Sequence, residues 1–366
     1  MAFTDYYVSV AGGGAHDGTS EANAWTLAES LAAPAPAGAR VNVKTGSYTL
    51  VGGTSAFPTG TIPLPILFRG YNSTIGDLDT QGWNADGTLN YTNFPVITVT
   101  TAVQVPGVLC FLQNLRIEGA LSSYLIGSTV VDDWGVISCS VQNTQNNAAA
   151  GCIQGDDNLK MLNSDFYCSG AAHAGVVDAD TQTYSNGCRY RSTSSSACLQ
   201  LNSGTVINPV TYGNGSSVGI KFVVSIGSTS TAFVHGQTCY AIGTAVEFSN
   251  NAFTAAQAVI TSGMATDNAD FIESLYSATA DNPVLVIYNR TRDNTTAFTG
   301  IAAIEVGTVT TDTGGASTDY TDAANGNFYL IAASPGAAAS LRAYANMGAL
   351  QTEPVVNSGS TGFMMV

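Results

Sequence analysis

Two carboxylates occupy matching places in consecutive copies of a short repeat. Asp156 and Asp180 each lie four residues past an apolar anchor, at Cys152 and Val176, and Asn202 holds the equivalent place after Cys198. If successive copies stack one strand spacing apart, about 5 Å, the two acids repel and one pKa rises, which separates a proton donor from a proton acceptor. That separation suits a retaining pair of glycoside-cleaving acids better than an inverting pair, which needs room for a water. Asp157, Asp178 and His173 are near in sequence. A non-catalytic explanation stands beside this one: Asx residues recur in tight turns because their side chains bond the local backbone.

Other candidate chemistry is weaker. Asp156, Asp157 and Asp180 offer oxygen ligands to a hard cation, but no calcium-loop spacing is present. Gly215-Ser216-Ser217-Val218-Gly219 matches the nucleophile-elbow expression, yet an elbow needs a strand–turn–helix setting that a β-rich repeat does not supply. His16, His173 and His235 fit no metal-ligand spacing. Asn72 and Asn294 begin glycosylation-type triplets that this composition produces by chance. The glycines of 12–18 lack the βαβ unit and the lysine of a phosphate loop. Trp83, in a stretch punctuated by turns, is either a carbohydrate-stacking platform or a residue packed on a wall or a neighbouring subunit.

The elements that must position these residues come from a period. Anchors centred on Cys152, Val176, Cys198, Ile220 and Val246 follow one another at 24, 22, 22 and 26 residues, and the residues fourteen further on are Phe166, Tyr190, Tyr212, Val234 and Ile260. Upstream, Asn114, Ser138, Asn163 and Asn186 keep the same rhythm. A repeat of this length is a solenoid coil that cannot bury its apolar face alone. The Leu framework of leucine-rich repeats is missing, and between anchors lie short alternating runs of β-branched residues, so each coil reads as two or three strands. Phe166, Tyr190 and Tyr212 are expected to form one inward ladder. A β-sandwich with irregular strand spacing is the competing fold.

Composition bounds the function. The chain has 366 residues, 45% of them hydrophobic and only 10% charged, with 26 acidic against 11 basic residues and a net charge of −15. A scattered basic set on an acidic chain disfavours nucleic acid and anionic membranes as partners. Seven cysteines without paired spacing argue against a disulfide framework or a zinc site, and Cys152 and Cys198 read as small buried hydrophobes. The first residues show no secretory signal pattern, and no apolar run reaches membrane-spanning length.

The ends of the chain carry a resemblance. Asp17-Gly18-Thr19-Ser20, Ala24-Trp25-Thr26-Leu27 and the run from Gly38 through Val41 and Val43 to Gly46 and Tyr48 resemble the opening segment of pectin-lyase-like right-handed parallel β-helix proteins. Near the other end, Asn327-Phe328-Tyr329-Leu330, Ser334-Pro335 and Gly348-Ala349 are similar to their closing segment, although Asn346-Met347 departs from it. The resemblance implies an all-β, right-handed parallel β-helix whose open end is capped by a short N-terminal helix. That helix is expected over 22–33 with Ser20 as N-cap. The expected organisation is a cap and first strand at 1–50, irregular early coils with a long exposed loop over 77–94 within 51–110, the β-helix at 111–310, and a closing segment at 311–366.

In that family, lyases combine calcium held by acidic residues with a basic proton acceptor. Arg189 is the candidate base here, though its place thirteen past an anchor stacks it on Asp165 and an ion pair explains both. The leading expectation is a structural or adhesive surface protein of a bacteriophage virion (capsid decoration, head fibre or tail-spike-like), without cofactor, made in the host cytoplasm. Its partners would be two further copies in a homotrimer, other virion proteins and a cell-surface glycan. The alternative is a secreted or tail-spike polysaccharide lyase or glycoside hydrolase using Asp156, Asp180 and Arg189, with calcium. A bacterial surface adhesin is a third reading.

Overall fold

The computed structural model describes residues 3–330 except 33–34, 51–55, 82, 85–88, 102–105, 128–130, 171–174, 214–216, 224–230, 241 and 250–256; beyond 261 it describes the strands, by their backbone. Three parallel sheets of 12, 11 and 8 strands form the walls of a solenoid. Each regular coil visits them in turn. Lys160–Leu162 lies on the first wall, Asp165–Cys168 on the second and Gly175–Ala179 on the third, and the next coil repeats them as Thr183–Asn186, Arg189–Ser192 and Ala197–Leu201. The expected parallel β-helix is therefore what the chain forms. Strands of three to six residues suffice because each inside a sheet is hydrogen-bonded on both sides and alternate side chains fill a common interior.

Sharp corners make the coils close. Between the first and second walls one residue per coil is left-handed: Asn114, Ser138, Asn163, Gly187, Asn208 and Gly236, with φ from 46° to 66°. Asn and Gly tolerate this conformation best. The backbone NH of each of the first five donates to the coil above, as in Asn163 to Asn186 O at 2.9 Å and Gly187 to Ile207 O at 2.9 Å. The expected column therefore shifts by one at its last member: Gly187, and not Asn186, takes the corner.

The interior ladder is shorter than its spacing predicted. Phe166 pairs with Tyr190, and their rings stack at 5.3 Å. Tyr190, however, pairs with Thr211, while Tyr212 pairs with Arg191 and sits half-buried on the outer face. The cause is one residue. Asp156-Asp157-Asn158 and Asp180-Thr181-Gln182 separate third-wall from first-wall residues in two coils, but only Asn202-Ser203 separates Leu201 from Gly204, the partner of Thr183. A slip of one position turns every following side chain to the opposite face. Val234 and Ile260 lie on the first wall, paired with each other above Val206, so the fourteen-residue offset had mixed two walls. The anchors shift as well: Ile153, Val177, Leu199, Ile220 and Val246 form one row, and the Cys152, Val176, Cys198 column continues through Gly219 and Ala245. All seven cysteines are buried and free.

The first end differs in detail from expectation. Thr4–Val8 pairs with Ala39–Lys44 and opens the 12-stranded sheet. A 3-10 turn at Glu21–Asn23 precedes a six-residue helix, Leu27–Ala32, and Ser20 makes no side-chain cap bond. Thr26 and Glu29 form a reciprocal capping pair instead: Glu29 Oε2 accepts from Thr26 N at 2.7 Å, and Thr26 Oγ1 accepts from Glu29 N at 3.2 Å. Trp25 stacks on Tyr6 at 5.0 Å, which breaks the longer helix expected from the Ala-rich run. The stretch 77–94 is not simply exposed, because it buries Leu78, Leu89 and Phe94 in a cluster of its own with Trp83 and Tyr91 against it. Asp79 fastens it to the first wall, accepting from Arg69 Nε at 2.9 Å and Asn114 Nδ2 at 2.8 Å. Near the other end, Asn327–Leu330 pairs antiparallel with Tyr320–Asp322. Ser334-Pro335 and the residues after it lie outside the described residues.

Candidate functional site

The acids singled out by spacing meet at the corner between the third and first walls. Strand register sets Gly155 beside Ala179 and Ala179 beside Leu201, so Asp156, Asp180 and Asn202 follow as a column. A carboxylate oxygen from each of Asp156, Asp157 and Asp180 lies within 4.8 Å of the other two. Hydrogen bonds fix the arrangement. Asp157 Oδ1 accepts from Thr181 N at 3.2 Å and from the Thr181 hydroxyl, and Asp180 Oδ1 accepts from Asn202 Nδ2. Each of these two acids thus has one oxygen held by a neighbouring coil.

Asp156 has its pKa raised, first by loss of solvent and then by the negative charges of Asp132, Asp157 and Asp180. Asp178, two residues before Asp180 on the outer face of the third wall, is also raised by burial. Hydrogen bonds from Gln200 Nε2 at 3.0 Å and the Tyr124 hydroxyl at 3.3 Å oppose that rise. An all-oxygen set of three carboxylates has the chemistry a hard cation takes, but Ca²⁺ takes about six to eight oxygens, and three carboxylates could fill only part of such a shell.

Arg189 is not part of this corner. It lies on the second wall, paired in register with Asp165 and Val210, and is 1% exposed. Its Nη2 donates to the Tyr212 hydroxyl at 3.0 Å, and its guanidinium lies 5.2 Å from the Tyr212 ring centre and 5.9 Å from that of Trp83. The structure therefore joins Trp83 to Arg189, two residues that spacing could not relate, and places both on a different wall from Asp156 and Asp180. Trp83 packs between the 77–94 cluster and this guanidinium. His173 lies outside the described residues, as do parts of the Gly215–Gly219 motif.

A feature of the second wall escaped the sequence. Arg191 is exposed and lies over Tyr167 at 4.5 Å and over Tyr212 at 5.4 Å. Below it in the stack, Arg116 lies over Tyr91 at 4.9 Å. The signal was the alternation Arg189-Tyr190-Arg191, which on a strand puts both arginines on one face and the tyrosine in the core. On the third wall the outward row runs Gln154, Asp178, Gln200, Lys221, Glu247, and Lys221 Nζ meets Glu247 Oε1 at 2.9 Å.

No protein-family model matches the chain, and no curated protein matches it. Among solved structures, a pectate lyase, Pel9A, superposes with a TM-score of 0.49 at 15% identity over 96% of this chain and 97% of its own. A GH136 lacto-N-biosidase from Eubacterium ramulus gives 0.37 at 11% identity over 84% of this chain and 68% of its own. At such identities a likeness does not reach activity. The ladders themselves define the fold as a parallel β-helix.

Proposed function

We propose that the chain is a structural and adhesive surface protein, a stiff solenoid of the kind a bacteriophage virion carries as a decoration, fibre or spike, assembled as a homotrimer. One observation carries this reading. The residues that a lyase would have to combine are separated: the carboxylates of Asp156 and Asp180 stand at one corner, while the Arg189 guanidinium is sealed on another wall beneath Trp83 and against Tyr212. Rigidity has a physical source in the stacked interior, where Phe166 lies on Tyr190 and Phe222 on Phe248 at 5.4 Å. A surface poor in charge and rich in hydroxyls and amides suits a durable exposed part.

A second reading, polysaccharide cleavage by a lyase or glycoside hydrolase, is favoured by the raised pKa of Asp156 within reach of two further carboxylates. One experiment separates the two. The purified protein is incubated with acidic and neutral polysaccharides, with and without Ca²⁺, and product length is followed while light scattering gives the assembly mass. A species of three 37.6 kDa chains that leaves every polysaccharide intact supports the structural role. Shortening that disappears in Asp156→Asn/Asp180→Asn establishes cleavage at the acid corner, and shortening that persists in that variant places an active site elsewhere; either overturns the structural role.

A further inference from the structure

Two of the seven free cysteines touch. Cys152 belongs to Gly151–Gly155 on the third wall, and Cys168 closes Asp165–Cys168 on the second wall one coil later. Their sulfurs are 3.4 Å apart, in van der Waals contact, and both side chains are buried. Cys168 is in register with Asn143, whose Nδ2 donates to the carbonyls of Leu121 at 3.1 Å, Ser123 at 3.0 Å and Gly151 at 2.8 Å. The chain just before Cys152 is thus held in place by the same inner corner that presents Cys168. A disulfide brings sulfurs to about 2.05 Å, so closing this pair needs a movement of little more than an ångström.

We propose that Cys152 and Cys168 form a latent disulfide that a peroxide closes, stapling one coil to the next across the interior. One thiol transfers oxygen from hydrogen peroxide, becoming a sulfenic acid and releasing water. The second sulfur then displaces the hydroxyl, which leaves as a second water. Two thiols lose two electrons and two protons, and both peroxide oxygens end as water. Burial raises the Cys152 pKa well above the usual thiol value, so the first step waits on local opening of the coil and is slow. The finished bond is shielded from reductants by the same burial. This inference does not depend on the proposed function, although it suits a protein that passes from reducing to oxidising surroundings.

The test uses the intact folded chain. After incubation with hydrogen peroxide it is unfolded, alkylated and weighed. The seven alkylatable cysteines should fall to five, the unalkylated mass should drop by about 2 Da for the two hydrogens lost, and fragmentation should join Cys152 to Cys168. Cys198→Ala should retain the cross-link, whereas Cys152→Ala and Cys168→Ala should each leave six alkylatable cysteines (seven less the one replaced). Seven alkylated cysteines after oxidation, addition of oxygen in place of hydrogen loss, or a bond between other cysteines would overturn the proposal. Fragmentation of the unsubstituted chain decides the matter even if a variant does not fold.

Discussion

The ring of Phe166 lies on the ring of Tyr190 in the next coil, centroids 5.3 Å apart and planes 17° from parallel. Offset stacks of this kind contribute about 0.5–1.5 kcal/mol beyond the area they bury. Because identical register brings each coil onto the last, the contact belongs to the stack and to no single strand.

Tyr190 also carries a hydroxyl into the core, 2.6 Å from Ser185 Oγ, where both are buried. Removing one partner leaves the other without water, at about 1–3 kcal/mol, whereas removing both is nearly neutral. Tyr190→Phe should therefore lower the unfolding free energy by about that amount. Tyr190→Phe/Ser185→Ala should recover most of the loss. Equilibrium denaturation in urea measures the difference, and a double variant no better than the single would show that the hydroxyl pair has another source of stability.

At the left-handed corners the expectation is residue-specific. Asn163 has φ near 46°, and a β-branched side chain there meets its own backbone, at roughly 1–2 kcal/mol for the left-handed conformation alone. Asn163→Val should destabilise the fold by at least that amount and Asn163→Gly by a few tenths. Thermal melts of the two variants test the order. Equal losses would mean that the Asn side chain, and not its backbone conformation, is what the corner needs.

The acid response of the cap has a defined sign. Hydrogen bonding with His16, followed by Thr26 N and Oγ1, lowers the Glu29 pKa from 4.5 to about 2. A depressed carboxylate favours the folded state above its unfolded pKa, and that contribution disappears as pH falls from about 4.5 toward about 2. Asp156 has the opposite sign: its folded pKa is raised, so its contribution is most favourable at low pH and is lost as pH climbs above 3.8. Glu29→Gln should flatten the acid loss of cap protection below about pH 4.5, and Asp156→Asn should raise stability at neutral pH. Hydrogen exchange at residues 25–32 and melting temperatures against pH report the two effects; a neutral-pH loss in Asp156→Asn would show that its carboxylate is bound to a favourable partner.

The period was legible because the solenoid places like residues over like, and the pairing of Asp156 with Asp180 followed from it directly. Register across walls was less legible. The corner after Leu201 is one residue shorter than the corner after Ala179, and nothing in Asn202-Ser203 announces the missing residue, so Tyr212 moved from the expected interior to the outer face. The contact of Trp83 with Arg189 was beyond sequence reading for another reason. A connection 106 residues upstream folds over the wall and brings them together through tertiary packing, which no local spacing encodes. The capping pair Thr26–Glu29 was legible in principle, since Thr-x-x-Glu is its signature, but Ser20 and the Ala-rich run pointed to an earlier start.

Double-mutant cycles on the interior address the stacking of coils most directly. Phe166→Leu is combined with Tyr190→Leu in one cycle and with Tyr212→Leu in another, and unfolding free energies are measured for every member. Phe166 and Tyr190 should couple by about 0.5–1.5 kcal/mol, while Phe166 and Tyr212 should add to within about 0.3–0.5 kcal/mol. Coupling of Phe166 to Tyr212 with additivity toward Tyr190 would contradict the register on which the fold, the acid corner and the separation of Arg189 from it all rest.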